Sequence, residues 1–255
     1  MVITGIIGYP LDITLSPQMH KAAFEAQSID GVYLSIPVEP TRVEAVLNAL
    51  RVIGCRGINV TNPHKETLLL FLNEFSREAK EVGAVNTVVF DKKGLTGYNT
   101  DVFGFEILLR SVASDLHNEH ILMIGAGGVA KAAAYVLNRY NSAQLSITDL
   151  DNAKAATLAK RYDADVINTN TIQSLLGTTD MVINASSADL QNDVTPFLKR
   201  GSSYIDLNYK YPLHEIEGIT IVNGLEMLLQ QGVRSYEIFT GRKAPVEVMR
   251  KALTN

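Results

Sequence analysis

Lys65 stands in the stretch "NVTNPHKE", residues 59–66. Asn62 and Pro63 there have the types preferred at a helix N-cap and first helical position. The apolar run Leu68–Leu72 predicts that the helix continues. A cation then sits at the positive end of the helix macrodipole, unfavourable by a few tenths to about 1 kcal/mol. A lysine so placed sheds its proton more easily, which is what a general base requires. A second chemistry-bearing stretch is Gly125-Ala126-Gly127-Gly128-Val129-Ala130, which fits G-x-G-x-x-G/A with alanine in the third place. A strand-like run precedes it and an alanine-rich helix follows. Glycines in that context let the backbone approach a pyrophosphate at a helix N-terminus.

Asp149 ends the next strand-like run, "QLSITD", 24 residues after Gly125. That is near the spacing of the acid that binds an adenosine ribose. A carboxylate there repels a 2′-phosphate by roughly 3 kcal/mol at about 5 Å and an effective dielectric near 20. Leu150 and Asp151 follow where an arginine would suit that phosphate, with only Lys154 nearby. NAD is therefore favoured over NADP. Asp149 also has the type of an N-cap for the following helix.

Further polar residues stand at suggestive places. Thr14 and Ser16 precede a helix opened by Ser16-Pro17, read as N-cap and first-turn proline. Their hydroxyls, with free helix amides, suit a carboxylate or phosphate. Asn86 interrupts the apolar strand "AVNTVVF", and a buried amide needs a partner. Asn99-Thr100-Asp101 closes the first hundred residues.

The elements that must position these groups alternate between β-rich and helical runs, the pattern of a parallel α/β architecture. Strands are expected at "ITGIIG", "GVYLSIPV", "CRGINV" and "AVNTVVF", with a hairpin return at "DKKGLTGYN". The helix "VFGFEILLRSVASDL" and the polar break "HNEH" separate this from a second series that opens at "ILMIGAGG". Two sheets imply two domains: residues 1–101 and residues 102–224. The last helices, about 225–255, follow a completed second sheet and are expected to pack back on the first domain.

Composition narrows the function classes. The chain has 255 residues, a formal net charge of −4 and no basic stripe, which excludes a nucleic-acid binder of ordinary type. A single cysteine, Cys55, fits a reducing cytoplasm, where the protein is expected. The N-terminus lacks a basic region and cleavage site, and no run is long enough for a membrane span. His117 and His120 read as a solvated loop, so no metal site is expected.

Taken together, "TLSPQMH", "GINVTNPHKE", "GAVNT", "YNTDVFGF", "GAGGVAKA", "DLNYKYP" and "GLEMLLQQG" resemble the shikimate dehydrogenase family in order and spacing along the whole chain. The resemblance implies an α/β fold: an N-terminal α/β substrate domain plus a Rossmann dinucleotide-binding domain, with the active site in the cleft between them. It implies Lys65 and Asp101 as the catalytic pair. Thr14 and Ser16 match positions that hold the substrate carboxylate. Thr61, Asn86 and Gln231 match positions at the ring hydroxyls, and Tyr209 matches a tyrosine near the nicotinamide. The pyrophosphate loop falls on residues 125–130.

The sequence departs from the family pattern in places. Thr14 stands for the more usual serine. Asp149-Leu150-Asp151 resembles the NAD-using quinate/shikimate branch, whereas Ser16 does not. Ala188 in "NASSADL" replaces glycine.

The implied reaction is reversible hydride transfer between shikimate and 3-dehydroshikimate with NAD or NADP, on a monomer or homodimer. Lys65 and Asp101 would titrate as one unit. Catabolic quinate/shikimate oxidation with NAD is the near alternative. A methylenetetrahydrofolate dehydrogenase and a non-catalytic nucleotide sensor are remoter ones.

Overall fold

The computed structural model describes residues 1–11, 14–92, 94–113, 115–140 and 144–254. Lys93 of the expected turn and Ser114 of the expected helix lie outside them. The chain forms two compact units, Met1–Gly104 with Leu228–Asn255, and Phe105–Met227.

The elements of the first unit begin with β1 (Val2–Gly8), α1 (Ser16–Ala26), β2 (Gly31–Pro37) and α2 (Val43–Val52). Then come β3 (Gly57–Val60), α3 (His64–Thr67), β4 (Glu74–Phe75), α4 (Arg77–Val82), β5 (Thr87–Asp91), β6 (Gly94–Tyr98) and the start of α5 (Asp101–Val112). The sheet order is β2-β1-β3-β5-β6-β4. β1, β2 and β3 are parallel, whereas β5 is antiparallel to β3 and β6.

Side-chain alternation explains why this sheet is covered on both faces. Ile7 points into a core with Val43, Leu47, Leu50, Ile58 and Val60. Its neighbour Ile6 points the other way, into a core with Met19, Phe24, Tyr33, Tyr236, Phe239 and Met249. The same alternation turns Asn59, between Ile58 and Val60, toward that second face.

The second unit contains β7 (His120–Ile124), α6 (Gly128–Asn138), β8 (Gln144–Thr148), α7 (Asn152–Arg161), β9 (Asp165–Val166) and α8 (Ile172–Leu176). It continues through β10 (Met181–Asn184), α9 (Gln191–Val194), β11 (Ser203–Asp206) and β12 (Thr220–Asn223). Its strands are parallel in the order β12-β11-β10-β7-β8-β9, the 3-2-1-4-5-6 order of a dinucleotide-binding sheet read from the other edge. The strand order reverses between β7 and β10.

α10 (Leu225–Thr240) and α11 (Val246–Thr254) complete the chain. Leu229, Val233, Tyr236 and Phe239 of α10, with Met249 of α11, fill the core on the α1 face of the first unit. Among the described residues no helix is long and apolar enough to cross a membrane.

Two helix starts differ from expectation. α3 is four residues long, Pro63 occupies its N-cap position, and no side chain caps it. The leucine run continues as a 3-10 turn, Leu68–Phe71. Leu68 is buried and Leu70 exposed, while Leu69, Phe71 and Leu72 pack partly buried against the same core, so the run does not form a helical apolar stripe. At α1, Ser16 is the first helical residue, with Leu15 before it and no side-chain cap.

Candidate functional site

In the first unit the chemistry gathers around Asp101. Lys65 leaves β3 on the short helix α3, and its backbone carbonyl accepts from the Val85 amide at 2.8 Å. Its Nζ donates to Asp101 Oδ2 at 2.6 Å, and both residues are buried. Asp101 opens α5, whose first turn is held by Asn99 Oδ1 accepting from the Val102 amide at 3.3 Å. Burying both charges is tolerable because they pair and because the second carboxylate oxygen is also satisfied. Asn86 Nδ2 donates to Asp101 Oδ1 at 2.8 Å.

Asn86 is itself fixed. Its carbonyl accepts from Val60, its amide donates to the Tyr98 carbonyl, and its Oδ1 accepts from the Thr100 amide at 2.7 Å. Gln231 of α10 reaches the same cluster, its Oε1 accepting from Thr100 Oγ1 at 3.5 Å. The structure thus brings Lys65, Asp101, Asn86 and Gln231 into one buried polar network. Among the described residues, no hydrogen bond joins the side chains of Thr14, Ser16 or Thr61 to it. Ser16 is buried at the start of α1, and Thr14 Oγ1 accepts from its amide at 3.4 Å. Thr61 packs over Gly8, where a Cβ would come within 2.4 Å of its methyl carbon.

Lys65 is therefore governed by its carboxylate partner more than by a helix end. A four-residue helix has little macrodipole, so the environment expected from the sequence is replaced by an ion pair.

Three residues of this network escaped sequence reasoning. Tyr33 of β2 donates from its hydroxyl to Asn59 Oδ1 at 2.8 Å, and Asn59 Nδ2 donates to Thr87 Oγ1 at 3.0 Å. The one sequence signal was Asn59 itself, an amide inside the apolar strand "GINV". His20 stacks on the Tyr33 ring at 4.3 Å, fully buried, with neither ring nitrogen hydrogen-bonded. Burial lowers its pKa to about 3, so the ring is neutral.

In the second unit the glycine loop joins β7 to α6 at the point where strand order reverses. Gly125 has a φ of +112°, and a Cβ there would lie 2.9 Å from the Ala185 carbonyl carbon and oxygen. That glycine is demanded by the fold. Gly127 has a φ of −77° and nothing within 4 Å of an added Cβ. No packing in the chain requires glycine there, whereas a pyrophosphate approaching the backbone would. The first helical bond of α6 runs from Lys131 N–H to the Gly127 carbonyl at 3.0 Å, so the preceding amides of the loop and first turn stand outside the helix ladder. Gly128, Val129 and Ala130 form that first turn, with Ala130 wholly buried. These residues fit a dinucleotide.

Asp149 is half-buried at the end of β8. One carboxylate oxygen accepts from the Ala126 amide at 2.7 Å and the other from the Asp151 amide at 2.8 Å. It thereby ties the glycine loop to β8, and each oxygen keeps acceptor capacity for a ribose hydroxyl. The helix cap expected of Asp149 belongs instead to Asp151, which accepts from Ala153 and Lys154 amides. Three residues past the strand is where the chain has turned far enough to meet the first amides of α7. Lys154 lies 3.8 Å from Asp151.

The ends of β10 and β11 carry another buried cluster that the sequence did not reveal. Asp206 Oδ2 accepts from Asn184 Nδ2 and the Tyr204 hydroxyl, each at 3.0 Å, while Oδ1 accepts from the Asn208 amide at 2.8 Å. Burial pushes the Asp206 carboxyl above the usual range against these donors. The cluster anchors the segment leading to Tyr209, which is half-buried and whose phenol burial pushes upward. Among the described residues no group of histidine, cysteine, aspartate or glutamate could hold a metal.

Known proteins resemble the chain along its whole length. Residues 6–88 match the shikimate dehydrogenase substrate binding domain, residues 107–195 the shikimate / quinate 5-dehydrogenase family, and residues 224–254 the shikimate 5'-dehydrogenase C-terminal domain. The shikimate dehydrogenase (NADP(+)) of Carboxydothermus hydrogenoformans is 36% identical, over 98% of this chain and 96% of its own. The chain belongs to the shikimate dehydrogenase family. The crystal structure of shikimate dehydrogenase from Aquifex aeolicus superimposes with a TM-score of 0.90 at 28% identity, covering 100% of this chain and 98% of that one. Quinate dehydrogenase from Corynebacterium glutamicum, in complex with NAD, gives 0.87 at 29% identity over 99% and 98%. The match to the substrate binding domain falls within the first unit, and the second unit carries the Rossmann-like sheet. The cofactor named for the Carboxydothermus relative is NADP(+), which gives no support to an NAD preference.

Proposed function

We propose that this chain interconverts shikimate and 3-dehydroshikimate with a nicotinamide dinucleotide, using Lys65 and Asp101 as one acid–base unit. The observation that carries the reading is the buried 2.6 Å pair between Lys65 Nζ and Asp101 Oδ2. In the oxidative direction the substrate carbon loses a hydride, its hydroxyl loses a proton, and a C=O bond forms. The nicotinamide, when bound, accepts the hydride. The proton passes to the Lys65/Asp101 unit in the form that holds one proton fewer than the ion pair, a neutral amine beside the carboxylate, and its uptake restores the paired ammonium and carboxylate.

Thr14 and Ser16 are proposed to hold the substrate carboxylate, and Thr61, Asn86 and Gln231 the ring hydroxyls. Tyr209 is proposed to reach the substrate beside the nicotinamide. A site lined this way rejects analogues that lack a hydroxyl, because its own buried groups would be left unpaired. Residues 1–101 with about 225–255 would bind substrate, and residues 102–224 the dinucleotide. Gly125 to Ala130 are proposed to hold the pyrophosphate.

Asp149 is proposed to accept hydrogen bonds from the adenosine ribose and to favour NAD. Asp149 and Asp151 are the charges facing a 2′-phosphate, and Lys154 is already held beside Asp151. The same residues favour a second reading, oxidative use of quinate as well as shikimate with NAD. Initial rates for shikimate and quinate, each with NAD and NADP, test both. The expected order puts shikimate with NAD first. Faster turnover with NADP by tenfold or more would overturn the cofactor assignment, and turnover of neither polyol would overturn the function.

A further inference from the structure

The geometry points to a one-way hydrogen-bond chain, Tyr33–Asn59–Thr87–Asn86, that holds the Asp101 carboxylate charged and oriented toward Lys65. This deepens the acid–base reading above and rests on it. The four residues are buried.

The sense of every link is fixed by a partner that can only donate or only accept. Asn59 Nδ2 also faces the Asn86 backbone carbonyl at 3.3 Å, an acceptor, so Asn59 Oδ1 must be the end that receives the Tyr33 hydroxyl proton. Asn86 Oδ1 faces the Thr100 backbone amide, a donor, so Asn86 Nδ2 must face Asp101. Thr87 Oγ1 accepts from Asn59 and donates its own proton to Asn86 Oδ1 at 3.1 Å. Each donor thus points along the chain from Tyr33 toward Asp101 Oδ1.

Aligned links polarise one another, and in a buried setting their positive ends act on the carboxylate at full strength. With Oδ1 held by Asn86 Nδ2, Oδ2 is the oxygen that faces Lys65 and exchanges a proton. His20 braces the origin of the chain by stacking on the Tyr33 ring. Around Asp101, α3 contributes Lys65, β5 contributes Thr87, the β6–α5 junction Thr100 and α10 Gln231. Lys65 is the ionisable one among them. Tyr33 and neutral His20 stand at the far end.

The residues of the chain are positioning residues. Thr87→Val keeps shape and removes the middle hydroxyl, and each neighbouring side-chain atom keeps another partner. Asn59 Nδ2 retains the Asn86 carbonyl, and Asn86 Oδ1 retains the Thr100 amide. Tyr33→Phe removes the first donor, and Thr87→Ser keeps the link.

The measurement is the pH profile of kcat/KM for shikimate oxidation, with Lys65→Gln run alongside. Thr87→Val and Tyr33→Phe are expected to lose at least threefold on the acidic flank and less than twofold on the plateau, moving that flank to higher pH. Thr87→Ser should overlay the wild type. A folded Thr87→Val whose profile superposes on wild type, equal losses at every pH, or a Thr87→Ser loss matching Thr87→Val would overturn the inference. Should Thr87→Val fail to fold by circular dichroism, Tyr33→Phe decides by the same criteria. Lys65→Gln with wild-type kcat would instead sink the acid–base reading, while its inactivity beside an unshifted Thr87→Val sinks only the chain.

Discussion

Asp101 and His20 make opposite demands on the first unit, one a buried charge with every oxygen met, the other a buried ring with neither nitrogen met. The histidine therefore writes a pH dependence into stability. In the fold it stays neutral down to about 3, whereas the unfolded chain takes up the proton near 6.5. The unfolded state binds more protons between those values, so stability is intact above about 6.5 and falls as pH is lowered. The loss from this one residue is about 1.4 kcal/mol per pH unit, roughly 2 kcal/mol by pH 5. Urea unfolding at pH 7 and pH 5 should show His20→Leu losing less stability across that interval than wild type. An equal loss would mean that the acid sensitivity resides elsewhere. The sequence marked Lys65 and Asp101 by motif, but it did not single out Tyr33, and His20 stood only as the last residue of "TLSPQMH". Their roles depend on which strands meet, and that is not written locally.

At the scale of elements, the glycine loop separates folding from binding. Gly125→Ala puts a methyl group against the Ala185 carbonyl at a φ of +112° and should cost stability, about 1 kcal/mol or more by thermal unfolding. Gly127→Ala meets nothing within 4 Å and has an ordinary φ, so its melting temperature should stay near wild type. Its dinucleotide KM should rise severalfold, because the methyl group occupies the space where the pyrophosphate approaches. A Gly127→Ala enzyme with unchanged KM would remove that loop from the binding site. The strand–loop–helix unit was legible because glycine, the apolar strand and the alanine-rich helix agree at every level. Around Lys65 the local signals misled. Asn-Pro followed by leucines reads as a helix start, yet tertiary packing buries Leu68, exposes Leu70 and leaves only a single turn.

On the scale of the whole molecule, the first unit is closed by the far end of the chain. Leu229, Val233, Tyr236, Phe239 and Met249 are core side chains of that unit. At about 1.5–3 kcal/mol for each buried side chain, together they rival the 5–15 kcal/mol of a typical fold. A chain ended at Met227 should lose hydrogen-exchange protection in β1 and β3; full protection there would show that the unit stands without its C-terminal helices. The two-sheet plan was readable from alternating patterns. The antiparallel return of β5 was foreshadowed only by one turn, because parallel and antiparallel strands bury similar residues.

The proposed turnover rests on the lysine. The most direct measurement is kcat and shikimate KM for Lys65→Gln, which can still donate to Asp101 but cannot carry the proton. A fall in kcat of about 10²–10⁴-fold with KM within a few fold is the predicted result. A kcat within a few fold of wild type would contradict it.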